Sequence, residues 1–188
     1  MPRPRSDEKR NAILEAATRL IVTQGLGAPT MGIAKEAGVA NGSLFTYFET
    51  KTDLLNHLYL ELKIEMAAAA MKDLREDEDV REQSFHVWRN WTKWAVSFPE
   101  KRRALAQLSV SDEITPETLA AGHKTMTRFG ELLERCRAGG PMGRAPMTFV
   151  LMLINSIAEG TMDFMTQDPR NAKKYCKTGF DAIWRILS

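Results

Sequence analysis

Thr30-Met-Gly-Ile-Ala-Lys-Glu-Ala-Gly-Val-Ala-Asn-Gly-Ser-Leu-Phe-Thr-Tyr-Phe-Glu-Thr-Lys51 is the stretch that decides how this chain is read. Ile33, Ala34, Ala37, Val39 and Leu44 give an apolar face too small to form a core alone. Ala34 and Ala37 permit close helix approach, and Gly38 supplies a turn that can adopt positive φ. The pattern predicts two short helices, over 30–37 and about 41–48, crossing steeply at a small-residue turn. That arrangement can set its second helix into a DNA major groove. Asn41, Ser43, Thr46 and Tyr47 on that helix carry polar groups able to bond base edges or phosphates. Lys51 stands at a helix start, where its charge opposes the dipole and points to an external anion. Each feature also has a plain structural reading: Ile33, Val39, Leu44 and Phe48 as core, Lys51 as a solvated lysine, Thr30 as a cap.

Upstream, Ile13, Leu14, Ala17, Leu20 and Ile21 recur at helical spacing and stop near Gly25 and Gly27. Downstream, Thr50-x-x-Asp53 reads as a capping box opening a longer helix with Leu54, Leu55, Leu58, Tyr59 and Leu62 on one side. An acidic stretch at 73–79 precedes a helix carrying Phe85, Trp88, Trp91, Trp94 and Phe98, closed by Pro99. Leu119, Met126, Phe129, Leu133 and Cys136 then recur in one helical register, and a Gly- and Pro-rich loop occupies 138–146. Two helices follow, around 147–165 and 172–187. No segment alternates as a strand, so the expectation is an all-α protein of about nine helices.

The central segment resembles the N-terminal domain of the tetracycline-repressor (TetR) family. The resemblance rests on Ile33-Ala34-Lys35-Glu36-Ala37-Gly38, on Gly42-Ser43-Leu44-Phe45-Thr46-Tyr47-Phe48, and on Lys51 followed by Leu54-Leu55. It covers roughly residues 8–57 and implies a helix-turn-helix DNA-binding domain at 1–55 and a helical ligand-binding and dimerisation domain at 56–188. Carried over by position, Thr30 would cap the second helix against a phosphate. Asn41 and Gly42 would face base edges, Ser43 and Thr46 would touch bases or backbone, and Tyr47 and Lys51 would grip phosphates. Two residues depart from the family pattern. Phe45 replaces a usual Tyr, removing one possible phosphate bond, and Ala40 replaces a usual Ser or Thr cap, for which Asn41 could substitute. The basic residues Arg3, Arg5, Lys9 and Arg10 fit either a groove-reaching arm or a solubilising tail.

Residues 147–165 are apolar on nearly all sides, and a soluble helix of this kind must be covered from two directions. The resemblance implies that the last two helices build a homodimer interface, with Met152, Phe180, Ile183, Trp184 and Leu187 as its candidates. It also implies a cavity for a small, largely apolar or aromatic inducer. Trp88, Trp91, Trp94, Phe98, Met126, Phe129 and Leu133 are the candidate lining, although stripes of this kind are also ordinary core. Glu159, among apolar neighbours, could meet a cationic ligand, a dimer partner or solvent. The partners expected from the resemblance are a pseudo-palindromic DNA operator, the inducer and a second copy of the chain.

The 188 residues carry 26 Lys and Arg against 24 Asp and Glu, so DNA contact has to come from local placement of charge. The basic start runs into Ser6, Asp7, Glu8 and Lys9, not an apolar stretch, so a cytoplasmic protein without a secretory signal or membrane span is expected. Cys136 and Cys176 make no CxxC pair. His57, His86 and His123 are scattered, with no HExxH and no Gly-rich phosphate loop, so neither catalytic residues nor metal ligands nor a cofactor is expected. A helical carrier of hydrophobic small molecules is the alternative reading, and it leaves residues 30–51 without a purpose.

Overall fold

A computed structural model describes residues 4–188, with side chains from residue 7 onward; Arg3 and the Arg5 side chain of the basic arm lie outside the described part. The described residues contain ten α-helices, one 3-10 turn at Pro169–Asn171, and no strand. The chain packs as two compact units, Met1–Ile64 with Pro99–Lys124, and Glu65–Phe98 with Thr125–Ser188. The chain passes between the two units after Ile64, after Phe98 and after Lys124.

The first unit holds α1 (Pro4–Gln24), α2 (Thr30–Glu36), α3 (Asn41–Tyr47), the first part of α4 (Lys51–Met71), α6 (Pro99–Ser109) and nearly all of α7 (Pro116–Thr125). α1 packs on both α2 and α6. Its helical stripe is buried: Ile13, Ala16, Ala17 and Ile21 are at or below 1% exposure. α2 ends in a Schellman motif. Gly38 takes φ +68°, its N–H reaches the Lys35 carbonyl at 3.1 Å, and the Val39 N–H reaches the Ala34 carbonyl at 2.9 Å. A side chain at Gly38 would strain that left-handed turn.

The second unit holds the rest of α4, α5 (Val80–Ser97), α8 (Thr127–Arg137), α9 (Met147–Gln167) and α10 (Ala172–Leu187). Asp79 opens α5 by accepting the Arg81 and Glu82 N–H groups at 2.8 and 3.0 Å. α5 packs against α8, α9 and α10, and α10 lies along α9. At Gly179 a Cβ would run into the Thr161 side chain and crowd the Trp88 ring, so glycine lets α10 approach α9 this closely. The Trp88 indole N–H donates to the Cys176 carbonyl at 2.9 Å, fastening α5 to α10.

The tenth helix comes from a break inside the segment read as one helix from Leu119 to Cys136. Met126 takes φ −101° and ψ 9°, outside the helical region, so α7 stops at Thr125 and α8 restarts at Thr127. Two β-branched residues flank the break, where helix propensity is weak.

Candidate nucleic-acid interface

α3 stands on a small buried base. Ile33 and Ala34 of α2, with Leu44 and Phe48 of the α3 segment, are all at or below 1% exposure. Ile33, Ala34 and Leu44 belong to the apolar face read from the segment, whose other members Ala37 and Val39 are half-buried. The surface of α3 is then made of Asn41, Gly42, Phe45 and Thr46, all exposed, with Ser43 and Tyr47 half-buried.

Capping differs from the sequence expectation. Pro29, in extended conformation, occupies the cap position of α2, and its carbonyl accepts the Gly32 and Ile33 N–H groups at 2.9 and 3.2 Å. Thr30 is the first helical residue and makes no cap bond. At α3 the cap residue is Ala40 itself, whose carbonyl accepts from Ser43 and Leu44 at 2.9 and 3.3 Å. Asn41 does not take over that task, because backbone carbonyls already organise the turn and leave its amide exposed. Thr46 Oγ1 donates to the Gly42 carbonyl at 3.4 Å.

The Thr50 cap is present. Its hydroxyl accepts the Asp53 N–H at 3.0 Å, while the Asp53 carboxylate accepts the Glu49 N–H at 3.0 Å, one residue earlier than in a reciprocal box. Asp53 also pairs with His57 Nδ1 at 3.0 Å. Lys51 is the first residue of α4, half-buried, and no described residue pairs with its ammonium. Arg10 is not free for an arm: it is ion-paired to Glu61, and its guanidinium lies 5.7 Å from the Phe48 ring centre. Lys9 is exposed.

In the second unit, Trp88, Trp91, Phe129 and Leu133 of the expected ligand site come together around a cavity of about 40 Å³. Ser84 and Cys136 are among its lining residues, and their Oγ and Sγ atoms lie 2.9 Å apart. Burial pushes the Cys136 thiol above its usual pKa, against smaller opposing pulls from Ser84 and Arg135. Trp94, Phe98 and Met126 do not line this cavity. The Trp94 indole instead donates to the Glu65 carboxylate at 3.0 Å, with the Phe98 ring 6.3 Å away, and Met126 forms the break between α7 and α8.

The residues assigned to a dimer interface also separate. Phe180, Ile183 and Leu187 are buried inside the second unit and, with half-buried Trp184, wall the cavity from α10. An amphipathic stripe can be covered by the same chain or by another, and here α5, α8 and α9 of the same chain cover it. Met152 alone of that set is at the surface, 63% exposed, on an α9 face that also shows Phe149 and Phe164. Glu159 lies on the exposed side of α9.

Among the described residues, no group of three or more His, Cys, Asp and Glu could hold a metal ion. No helix among them is long and apolar enough to cross a membrane.

Comparison with known proteins bears on the N-terminal segment first. Residues 13–58 match the family described as bacterial regulatory proteins, tetR family. An uncharacterized HTH-type transcriptional regulator of Haemophilus influenzae is 34% identical over 79 residues, 42% of each chain. The HTH-type transcriptional regulator AcrR of Shigella flexneri is 38% identical over 55 residues, 29% of this chain and 26% of AcrR. These matches thus span less than half the length of the curated relatives. Over nearly the whole chain, the crystal structure of a tetR family transcription regulator from Shewanella sp. PV-4 superposes with TM-score 0.83 at 27% identity, covering 94% of this chain and 96% of that one.

Proposed function

We propose, for a chain that belongs to the tetR family of bacterial regulatory proteins, that it is a cytoplasmic, sequence-specific transcriptional regulator binding duplex DNA as a homodimer. One observation carries this reading. α3 rests on a fully buried apolar base and turns Asn41, Gly42, Phe45 and Thr46 outward together. A seven-residue helix needs no such exposed set for its own stability; a groove-reading helix does.

In the complex, Asn41 and Gly42 face base edges, while Ser43 and Thr46 meet bases or the sugar-phosphate backbone. Tyr47, Lys51 and the Thr30 hydroxyl contact phosphates. A Thr30 side chain unused in capping and a Lys51 ammonium without a described partner support those roles. Two copies joined through the exposed α9 face would meet a pseudo-palindromic site with half-sites about one helical turn apart. Selection of duplexes by purified protein, followed by titration of the recovered site, tests the whole reading. No enrichment over random duplex would end it.

The response to a small, largely apolar inducer is the finer part of the proposal. Ligand pockets run to roughly 300–1,000 Å³, so the cavity of about 40 Å³ takes such a molecule only if its walls open. Trp91, Phe129 and Trp184, all half-buried, are the large wall residues with room to move. α4 is shared by the two units, so a shift in its later half acts on the helix that begins at Lys51. Tryptophan fluorescence during a metabolite screen, with hits retested for release of bound DNA, checks this part. Hits that bind without altering DNA affinity would remove the inducer role and leave DNA binding intact.

A further inference from the structure

α3 consists of Asn41-Gly-Ser-Leu-Phe-Thr-Tyr47, without lysine, arginine, glutamine or a carboxylate. Guanine is commonly read by an arginine or lysine on O6 and N7, and cytosine by a carboxylate accepting from its amino group. α3 has none of these groups. Its exposed side chains with reach are Asn41, Phe45 and Thr46. Asn41 and Phe45 are four residues apart and therefore neighbours on one side of the helix. Between them Gly42 adds no side chain, and nothing lies within 4 Å of where its Cβ would stand, so the surface beside Asn41 stays low.

Phe45 is 41% exposed although Leu44 and Phe48, on either side of it in the core pattern, are fully buried. Its ring is a large apolar group left in water on an otherwise polar or small-residue face. In the major groove its complement is the C5-methyl group of thymine, and the complement of an asparagine amide is adenine N6 and N7. We infer that α3 reads adjacent A·T pairs in each half-site, Asn41 on the adenine edge and Phe45 against a thymine methyl. Phe45 is then a specificity-determining residue, and its departure from the family's tyrosine exchanges a polar contact for an apolar one. The inference rests on the proposed DNA binding.

The test uses the duplex recovered by selection, with each thymine replaced singly by deoxyuridine, which lacks only the C5-methyl. At one thymine per half-site the native protein should lose about fourfold in affinity, the worth of one methyl group buried against carbon. Phe45→Ala should bind the thymine and uracil duplexes equally, with unchanged circular dichroism because the side chain is at the surface. Phe45→Leu, which keeps an apolar side chain, should retain the preference. The inference is overturned if the selected half-site is centred on G·C pairs, or if no uracil substitution matters. It is equally overturned if the preference survives Phe45→Ala, or disappears with Met31→Ala, the other large exposed apolar residue of the two short helices. Failure to select any duplex removes the DNA-binding reading itself, whereas selection without a methyl effect removes only this inference.

Discussion

The Asn56 side-chain carbonyl accepts the backbone N–H of Thr115 at 2.9 Å, tying α4 to the loop that precedes α7. The same amide donates to the carbonyls of Glu113 and Thr52 at 2.7 and 2.8 Å, and Thr52 Oγ1 donates to the Glu113 carboxylate at 2.6 Å. Asn56 is only 9% exposed, so water cannot readily replace these bonds. Asn56→Ala leaves a buried N–H and carbonyls unsatisfied, and is expected to cost about 1–3 kcal/mol in urea unfolding. Asn56→Asp should fare little better, since it keeps the acceptor and loses both donors. Unfolding midpoints at the native value for both variants would show that the bonds add nothing.

Lys51→Ala should weaken DNA binding at every sequence equally and reduce the log–log salt slope by about 0.9 for one phosphate released. The fold should be untouched, because no described residue pairs with that ammonium. Tyr47→Phe should weaken binding while keeping the half-buried ring in place. Anisotropy titrations over a range of salt concentrations measure both. An unaltered slope would take Lys51 off the phosphate list.

Met152→Glu places a charge on the exposed apolar face of α9 and should produce a folded monomer, seen by light scattering beside native circular dichroism. Phe180→Glu should instead unfold the second unit, because Phe180 is 4% exposed and stacks near Phe85 and Trp184 inside the chain. A Met152→Glu protein that remains dimeric would move the interface off this face.

Arg137 holds the loop at 138–146 by donating to the carbonyls of Met142 and Ala145 at 2.9 and 2.6 Å, while Glu134 accepts from its other nitrogens at 2.8 Å. Arg137→Lys cannot make this set of bonds, and protease should cut within 138–146 faster than in the native protein. The Arg137 hydrogen bond holds the Glu134 carboxyl below its usual pKa, against a smaller opposing effect of burial. A depressed folded value means that the clamp's contribution is present above the ordinary glutamate range. It is lost progressively as pH falls from that range down through the depressed folded value. Loop cleavage by an acid-tolerant protease should therefore accelerate as pH drops through the ordinary glutamate range and level off below the depressed value. A cleavage rate that stays flat across that interval would contradict the clamp.

Cys136 should resist iodoacetamide near pH 8 in the native protein, because burial keeps it a thiol and the thiolate is the nucleophile. An inducer that opens the cavity should raise the labelling rate of Cys136 while leaving Cys176, also buried, unreactive. Equal labelling of both cysteines would indicate general loosening, not opening of this cavity.

Helix positions, the turn at Gly38, the Thr50 cap and the helix-turn-helix segment were legible from residues 30–53, because each follows from contacts a few residues apart. Local pattern also made the apolar character of α9 and α10 plain. It could not say what covers them, since a buried stripe looks the same whether its cover is the same chain or another. Tertiary packing decided that. Phe180, Ile183 and Leu187 are enclosed by α5, α8 and α9, and the large apolar residues that α9 leaves exposed are Phe149, Met152 and Phe164. Packing likewise split the Trp-rich helix into a cavity wall at Trp88 and Trp91 and a Glu65 contact at Trp94. It also left Phe45 in water, where the family resemblance registered only a missing hydroxyl. The sequence by itself determined the helices and the segment that reads as a DNA-binding domain, through short-range bonds and periodicity. Only the tertiary structure decided which side chains are spent inside the chain and which remain for a partner, because that depends on surfaces far apart in sequence meeting in space.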